Sequence, residues 1–242
     1  MTYHGRVSEG QAFHAKESRS VSKRLQSGSY YDSSYHGARF PELIGDNSYF
    51  VARAEVQARF YFSNGERQKR IFEYGCGIGQ GIAALPNAAG WDIGAEARAA
   101  CRRRNLNVYD TLEEVPRHAW DIVFCRHVLE HLERPIDALA SMRELLQPAG
   151  ELFIIVPKEE HFAVKLAPDL DQHLHCWNFR SLNNLLFRAG FVPHSNEYRY
   201  MLGWHAFLPI RKRFGPGAYY HATKLGGMLR RNGELLVRAG IA

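Results

Sequence analysis

Between residues 71 and 202, short apolar runs alternate with amphipathic stretches in which apolar positions recur every three or four residues. The apolar runs predict strands at 71–74, 91–95, 107–109, 121–125, 151–156, 191–195 and 197–202. The amphipathic stretches predict helices at 79–89, 96–104, 135–147 and 180–189. Alternation of this kind builds a mostly parallel sheet that is covered by helices on both faces.

The segments on either side of this alternation differ from it in composition. Residues 1–30 are rich in Ser, Lys, Arg and Gln and poor in large apolar side chains, so we predict that they are disordered. Residues 31–70 bring a dense set of aromatic side chains and are predicted to form an N-terminal helical cap. Residues 203–242 are predicted to form a basic, helical C-terminal extension of the core at 71–202.

Composition narrows the class of protein. Hydrophobic residues make up 45% of the 242 positions, as in soluble globular proteins. The four cysteines form no CxxC pair, which indicates a reducing compartment without structural disulfides. The first thirty residues lack the apolar stretch of a signal peptide, and no apolar run approaches the ~18 residues of a membrane span. We therefore expect a cytoplasmic location.

The net charge of +6 is concentrated at the ends of the chain. Residues 199–242 carry eight basic side chains and one acidic side chain. Such a tail could face nucleic acid, anionic lipid or a phosphorylated substrate, or it could be a solvated face that keeps the protein soluble. The apolar stretch 202–210 beside it fits either a peripheral membrane anchor or a lid or core helix.

A glycine-rich loop follows the first apolar run. Glu73 lies near the end of that run, and glycines then occupy alternate positions up to Gly79. Glycine lets a backbone turn tightly against a ligand, and a helix that starts near Gly79 would direct unpaired N–H groups at an anionic group. A dinucleotide-binding fingerprint needs another glycine where this chain has Gln80 or Ile82, so a nicotinamide cofactor is disfavoured.

The order Glu-x-Gly-x-Gly-x-Gly, followed by an acid at Glu96, resembles the class I, Rossmann-like S-adenosylmethionine-dependent methyltransferases. The resemblance spans residues 71 to 193, half of the chain, and continues in the segments 120–125, 127–131, 145–156 and 185–191. It implies an α/β fold with a seven-stranded, mostly parallel sheet. It also implies S-adenosyl-L-methionine as the cofactor and methyl transfer as the reaction.

The same resemblance assigns residues to the cofactor. Glu73 would meet the methionine amino group, and Glu96 would accept hydrogen bonds from the ribose hydroxyls. Asp110 is placed like the family's adenine-contacting acid, although it could equally cap a helix over 111–114. The other residues assigned to this site are Gly75, Cys76, Gly77, Gly79 and Arg126.

Three candidate catalytic residues follow the strand predicted at 121–125. His127, Glu130 and His131 lie at i, i+3 and i+4, on one face of a helical turn at the carboxyl edge of the sheet. His131 is the candidate general base, since an unperturbed imidazole titrates near neutral pH and can accept a hydroxyl proton. The alternative is that hydrogen bonds from these side chains only orient the turn.

The same turn also offers ligands for a metal, with Asp171, His173 and His175 downstream as further donors. It is similar to the Glu-x-x-Glu-His turn of metal-assisted small-RNA 2′-O-methyltransferases and of some quinone-precursor O-methyltransferases. In this chain His127 replaces the first glutamate. The sequence therefore leaves open whether a metal binds.

These features predict an S-adenosylmethionine-dependent methyltransferase that acts on an oxygen of a small metabolite or glycan by in-line transfer. The alternatives are an RNA or quinone-precursor O-methyltransferase with metal assistance, and a non-catalytic scaffold that binds the cofactor. A nucleic-acid acceptor is the less favoured one, because the chain contains no recognised RNA-binding module. The sequence determines neither the acceptor nor the oligomeric state.

Overall fold

The core of the protein is one mixed β-sheet, seen in a computed structural model that describes residue 35 and residues 41–159, 171–203 and 205–242. Its strands are β1 (Ile71–Tyr74), β2 (Ala88–Trp91), β3 (Trp120–Arg126), β4 (Leu146–Pro157), β5 (Phe191–Tyr200) and β6 (Gly233–Ile241). They are hydrogen-bonded in the order β2-β1-β3-β4-β6-β5, so the described sheet has six strands where seven were predicted. Strands β1 to β4 pair in parallel, whereas β6 is antiparallel to both of its neighbours.

Helices cover both faces of this sheet, which confirms the predicted α/β class. The α-helices of the described residues are α1 (Pro41–Gly45), α2 (Asn47–Tyr61), α3 (Ala95–Arg103), α4 (Pro135–Leu145), α5 (Phe179–Arg188) and α6 (Leu208–Leu229). Asp46 begins α2 by accepting hydrogen bonds from the backbone N–H groups of Ser48 and Tyr49. Pro135 is the first residue of α4. A backbone N–H at this position would have no partner within the helix, so proline, which lacks an N–H, costs no hydrogen bond there.

The apolar run of β4 explains how the two faces are joined. Leu152, Ile154 and Val156 pack on the side of α4 and α5, whereas Phe153 and Ile155 pack on the side of α2 and α6. All five side chains are fully buried. A strand that is covered on both faces needs an unbroken apolar sequence, and this is the signal that predicted it.

The loop after β1 differs from its prediction. In place of a helix over 79–89, the chain forms a series of turns, and β2 begins at Ala88. Gly75, Gly77 and Gly79 have φ angles of 73°, 52° and 88°. A backbone that enters the left-handed region three times in five residues excludes a right-handed helix over 75–79, and the turns continue beyond it to β2.

The strand that completes the sheet comes from the C-terminal segment. We predicted two strands over 191–195 and 197–202, but residues 191–200 form the single strand β5. The strand predicted at 107–109 contributes only a bridge between Val108 and Gly90. Strand β6 lies between β4 and β5, so the sheet extends beyond the boundary predicted at residue 202, and the C-terminal segment is not purely helical.

The remaining predictions concern the two ends of the chain. Residues 1–30, predicted to be disordered, lie outside the described residues, and the predicted cap is represented by α1 and α2. In the stretch 202–210, Leu208 is buried and Phe207 packs against the same core, so the core-helix interpretation applies there. No described helix combines the length and the apolar character that crossing a membrane would require.

Candidate active site

Loops from several strands converge at one edge of the sheet. The carboxyl ends of β1, β2, β3 and β4 meet there because these strands are parallel. Strand β6 runs in the opposite direction, so its first residues, Gly233 and Glu234, reach the same edge beside Pro157. Open α/β sheets bind their ligands at this edge, and the predicted site residues lie there or in the loops beside it.

Glu73 is a buried acid whose hydrogen bonding is incomplete among the described residues. Its side chain is within β1 and 1% exposed, and its carboxylate lies so close to Gly81 that a Cβ at that glycine would be 2.3 Å from both oxygens. Its Oε2 atom has no hydrogen-bond partner among the described residues. Burial raises the pKa of Glu73 to about 8, with Asp92 reinforcing and Arg126 opposing that shift. A buried, unpartnered carboxyl oxygen is a favourable position for an incoming ammonium group.

Asp92 holds the glycine loop against the end of β2. Its Oδ2 accepts a hydrogen bond from the backbone N–H of Gly77, and its Oδ1 accepts one from Gly94, both at 2.8 Å. The backbone N–H of Cys76 donates to the carbonyl of Trp91 at 3.0 Å. These bonds fix the shape of the loop before any ligand binds.

Asp92 also replaces Glu96 as the acid at the end of the second strand. Strand β2 ends at Trp91, whereas Glu96 lies in the first turn of α3 with an exposed side chain. The placement of Glu96 at a strand end was wrong because the strand ends at Trp91, and residues 92–95 form a turn and the start of α3. A carboxylate offers about four lone-pair positions, so Asp92 can accept further hydrogen bonds besides the two from the loop.

Asp110 is exposed and is held by the arginines of α3. Its carboxylate is hydrogen-bonded to Arg102 and lies 3.7 Å from Nε of Arg98. Arg98 in turn donates from Nη1 to the carbonyl of Asp92 at 2.7 Å, which links Asp110 to the end of β2. Residues 111–114 form bends and turns, so the interpretation of Asp110 as a helix cap was wrong.

Cys76 is buried within the same loop, and its thiol is unreactive. A hydrogen bond with Cys101 and burial raise the pKa of its thiol well above the ordinary value, so the thiol stays protonated. A Cβ at Gly90 would lie 2.7 Å from the Cβ of Cys76. The residue therefore acts here as a small packing group.

A stripe of polar side chains on α2 was not predicted from the sequence. Arg53, Gln57 and Tyr61 are spaced four residues apart and lie on one face of the helix. Gln57 lies 3.4 Å from Gln80 in the glycine loop, and the hydroxyl of Tyr61 donates to Glu234 at 2.7 Å. The signal was present as three polar groups at helical spacing, but the aromatic residues around them dominated the interpretation.

The turn after β3 brings His127 between two carboxylates. His127 has a φ of 54°, and its Nδ1 lies 3.3 Å from Glu130 Oε1 while its Nε2 lies 2.8 Å from Glu234 Oε1. Burial alone would lower the pKa of His127, but the hydrogen bonds to these two acids outweigh it and raise the pKa to about 9. His127 is therefore a cation at neutral pH and has no lone pair with which to accept a proton.

His131 lies on the other side of Glu130 and has the opposite character. Its Nε2 lies 3.9 Å from Glu130 Oε1, and its side chain is 12% exposed. Burial lowers the pKa of His131, although the charge of Glu130 opposes that shift. The imidazole is therefore neutral at pH 7 and can accept a proton. The predicted grouping of both histidines around Glu130 is present, but the helical turn covers only residues 129–131, and His127 precedes it with a left-handed backbone.

Arg126 connects the cofactor-side acid to this cluster. It is the last residue of β3, and its guanidinium carbon lies 5.9 Å from the centre of the Tyr61 ring. Burial would lower its pKa, but interactions with Tyr61, Glu73 and Glu234 raise it, so Arg126 keeps its charge. A positive charge between two buried acids stabilises both of them.

Only some of the predicted metal ligands lie together in the structure. Ligand atoms of Glu130, His131 and His173 lie within 4.8 Å of one another. His175 is directed elsewhere, with its Nε2 2.8 Å from the carbonyl of Leu132. Glu130 Oε2 is buried without a hydrogen-bond partner among the described residues, and Nδ1 of His173 contacts Glu159 Oε1. A donor set of one carboxylate and two imidazoles fits a divalent metal.

Comparison with known proteins identifies the family. A family model described as "Methyltransferase domain" matches residues 48–196. The chain belongs to this family. The match begins in α2 and ends in β5, and it leaves out Glu234.

A curated relative agrees with this methyltransferase assignment. A ubiquinone biosynthesis O-methyltransferase of Erwinia tasmaniensis is 30% identical over 105 residues, which are 38% of this chain and 43% of that protein. The matched part of the chain thus spans less than half the length of that relative.

The solved structures share the fold. A 1,6-didemethyltoxoflavin-N1-methyltransferase of Burkholderia thailandensis, solved with its substrate and S-adenosylhomocysteine, is 15% identical with a TM-score of 0.52, covering 99% of this chain and 93% of that one. An S-adenosylmethionine-dependent methyltransferase of Thermotoga maritima is 18% identical with a TM-score of 0.54, covering 83% and 93%. The predicted class I methyltransferase fold is confirmed.

Proposed function

We propose that this methyltransferase uses S-adenosyl-L-methionine to methylate an oxygen atom of a small hydroxylated molecule or glycan. The observation that carries the proposal is the pairing of two functions at one edge of the sheet. Glu73 presents an unpartnered buried oxygen beside the glycine loop, and His131 presents a neutral imidazole beside Glu130. One fits the amino group of the cofactor, and the other fits the hydroxyl of the acceptor.

The cofactor is held by backbone and carboxylates. Glu73 pairs with its α-ammonium group, and Asp92, rather than Glu96, accepts hydrogen bonds from the ribose hydroxyls. Asp110, which α3 holds beside the end of β2, takes the adenine side. The loop from Gly75 to Gly79 lies against the methionine and ribose, because glycine at these positions leaves no side chain in the way. Arg126 opposes the rise in the pKa of Glu73 and helps to lower the pKa of Glu234, so we assign it a positioning role.

The catalytic residues assist a reaction whose electrophile comes with the cofactor. The sulfonium of S-adenosylmethionine activates its own methyl group, so the protein must align the acceptor and remove a proton. His131 takes the hydroxyl proton, and the neighbouring carboxylate of Glu130 stabilises the imidazolium that forms. His127 holds Glu130 in place and stays protonated throughout, so we assign it a positioning role.

A metal-assisted version of the same reaction is the second candidate. The cluster of Glu130, His131 and His173 favours it, as does the similarity to ubiquinone biosynthesis O-methyltransferases. A divalent ion there would lower the pKa of an acceptor hydroxyl. His127, which replaces the first glutamate of the Glu-x-x-Glu-His turn, does not join this metal site, because a protonated imidazole cannot coordinate a metal.

The deciding experiment measures cofactor binding and methyl transfer separately. We expect wild-type protein to bind S-adenosylmethionine in calorimetry and to methylate members of a catechol and sugar panel. His131→Asn should keep cofactor affinity and lose about 10²- to 10⁴-fold in turnover, the usual contribution of a general base. His194→Asn, on an exposed histidine of β5, is the matched control. Absence of cofactor binding at millimolar concentration would refute the proposal.

A chelator distinguishes the metal-free reaction from the metal-assisted reaction. Activity that survives exhaustive chelation, in protein free of stoichiometric metal by elemental analysis, supports His131 acting alone. Activity that is lost on chelation and restored by one divalent ion supports the metal. In that case His173→Ala should abolish metal binding and leave cofactor affinity unchanged.

A further inference from the structure

The C-terminal half of α6 exposes an apolar patch. The helix is kinked at Gly215, where φ is 84°, and its second half then packs on the sheet through Tyr219, Thr223, Gly226 and Gly227. The side chains on its outer face include three large aliphatic groups at i, i+3 and i+4, which makes them neighbours. These are Leu225, Met228 and Leu229, exposed to 57%, 56% and 76%, and we call them the α6 patch.

Positive charge surrounds the α6 patch. Lys224, Arg230 and Arg231 flank it, and all three side chains are exposed. The sequence from Tyr198 to Gly233 contains seven basic residues and no acidic residue. Neighbouring carboxylates on this helix therefore do not neutralise the cations, and the patch presents an aliphatic centre within a positive field.

Three kinds of partner could bind a patch that combines aliphatic side chains with positive charge. A second copy of the chain, docked symmetrically, would bring the cations of both patches together without acids to pair with them. A nucleic acid would use the cations, but Leu and Met offer no flat ring on which bases could stack. An anionic bilayer surface uses both features, since lipid headgroups attract the cations and the acyl boundary receives the aliphatic side chains.

We propose that the α6 patch docks the protein on the surface of an anionic lipid bilayer. Leu225, Met228 and Leu229 enter the boundary between headgroups and acyl chains, and Lys224, Arg230 and Arg231 contact lipid phosphates. This docking depends neither on the methyl-transfer reaction nor on the identity of the acceptor.

Docking in this way brings the carboxyl edge of the sheet close to the bilayer. Met228 and Arg231 line a cleft of about 450 Å³ together with Lys158 and Tyr200. Lys158 directly follows β4, and its backbone N–H donates to the carbonyl of Gly233 at 2.8 Å. The cleft thus opens between the patch and the edge at which the site residues converge.

The test is flotation of the full chain with vesicles. We expect binding to vesicles that combine phosphatidylglycerol with phosphatidylcholine, and loss of that binding in high salt because screening weakens surface attraction. Leu225→Ser with Leu229→Ser should reduce partitioning about tenfold or more. Each of Lys224→Gln and Arg231→Gln should reduce it about fivefold. The matched control is Phe187→Ser with Val192→Ser, a second exposed apolar pair, on α5 and β5, exposed to 57% and 46%.

Several results would overturn the proposal. One is absence of binding to phosphatidylglycerol vesicles at low salt, and another is equal loss in the patch and control variants. A third is that sedimentation equilibrium finds a dimer that the patch variant dissociates while vesicle binding is unchanged. A fourth is that the patch variant loses binding to a single-stranded RNA oligonucleotide and keeps binding to vesicles. Thermal unfolding of all variants identifies those that fail to fold, and the charge variants then serve in their place.

Discussion

The Nε2 atom of His127 lies 2.8 Å from Oε1 of Glu234, a residue 107 positions further along the chain. This contact joins the turn after β3 to the first residues of β6. The hydroxyl of Tyr61 donates to the same carboxylate at 2.7 Å, so α2 takes part as well. One acid thus connects the cap helix, the candidate catalytic turn and the C-terminal strand.

We predict that Glu234→Gln strongly destabilises the protein. Glu234 is 7% exposed, and its replacement leaves the buried charges of His127 and Arg126 with less compensation. Breaking a buried ion pair on one side costs about 3–5 kcal/mol, to be measured by urea unfolding. Glu197→Gln, which removes an exposed acid of β5 paired with Arg199, should cost about 1 kcal/mol or less. Equal effects of the two changes would argue against a special role for the Glu234 contact.

Cofactor binding should release a proton at neutral pH. Because the pKa of Glu73 is raised to about 8, about nine in ten molecules carry a proton on this residue at pH 7 in the absence of cofactor. Pairing with an ammonium group favours the ionised form, so binding expels that proton. Calorimetry in buffers of different ionisation enthalpy should therefore detect release of about 0.9 proton per cofactor. Glu73→Gln should bind more weakly and release no proton, whereas release from that variant would assign the proton elsewhere.

Glu73 should also make the cofactor-free protein less stable as pH rises. A carboxyl with a folded-state pKa of about 8 and an unfolded pKa near 4.5 binds its proton more tightly in the folded state. The free energy of unfolding therefore falls between about pH 4.5 and 8. Glu73→Gln should remove this decline and stabilise the free protein at pH 8 by about 4 kcal/mol. Unfolding curves with parallel pH profiles for both proteins would contradict the prediction.

Asp92 and Glu96 give a matched pair of acids for the ribose contact. Asp92→Asn should weaken S-adenosylmethionine binding about tenfold or more, since a charged acceptor and part of the support of the glycine loop are lost. Glu96→Gln changes an exposed side chain of α3 and should leave affinity unchanged. Thermal stability of both variants, measured without cofactor, separates binding from folding. The reverse ranking of affinities would restore Glu96 as the ribose ligand.

Part of this architecture could be predicted from the sequence for a clear physical reason. Strands covered on both faces need an unbroken apolar run where they are buried, and residues 122–125 of β3 and 152–156 of β4 form such runs. The turn that holds Glu130 and His131 could be placed at the carboxyl edge of the sheet because it follows such a strand directly. Glu73 could be placed at the same edge because it lies in a buried strand next to glycines.

The parts that were missed depend on partners distant in the chain. The apolar residues of β6 lie within a basic tail, and nothing local indicates that they pair between β4 and β5. Glu234 is the one acid of residues 199–242, and that isolation was its only local signal. The start of α3 was predicted almost correctly, but the strand before it was placed too late, which moved the acidic position from Asp92 to Glu96.

The position of β6 in the sheet has a consequence for synthesis on the ribosome. Strand β5 is hydrogen-bonded only to β6 in the described sheet, so it stays an unpaired edge until the last strand has left the exit tunnel. His127 likewise meets Glu234 only at that moment. Until β6 has emerged, the nascent chain therefore carries an exposed strand edge and a turn after β3 without its Glu234 contact, and an unpaired edge favours association with other chains.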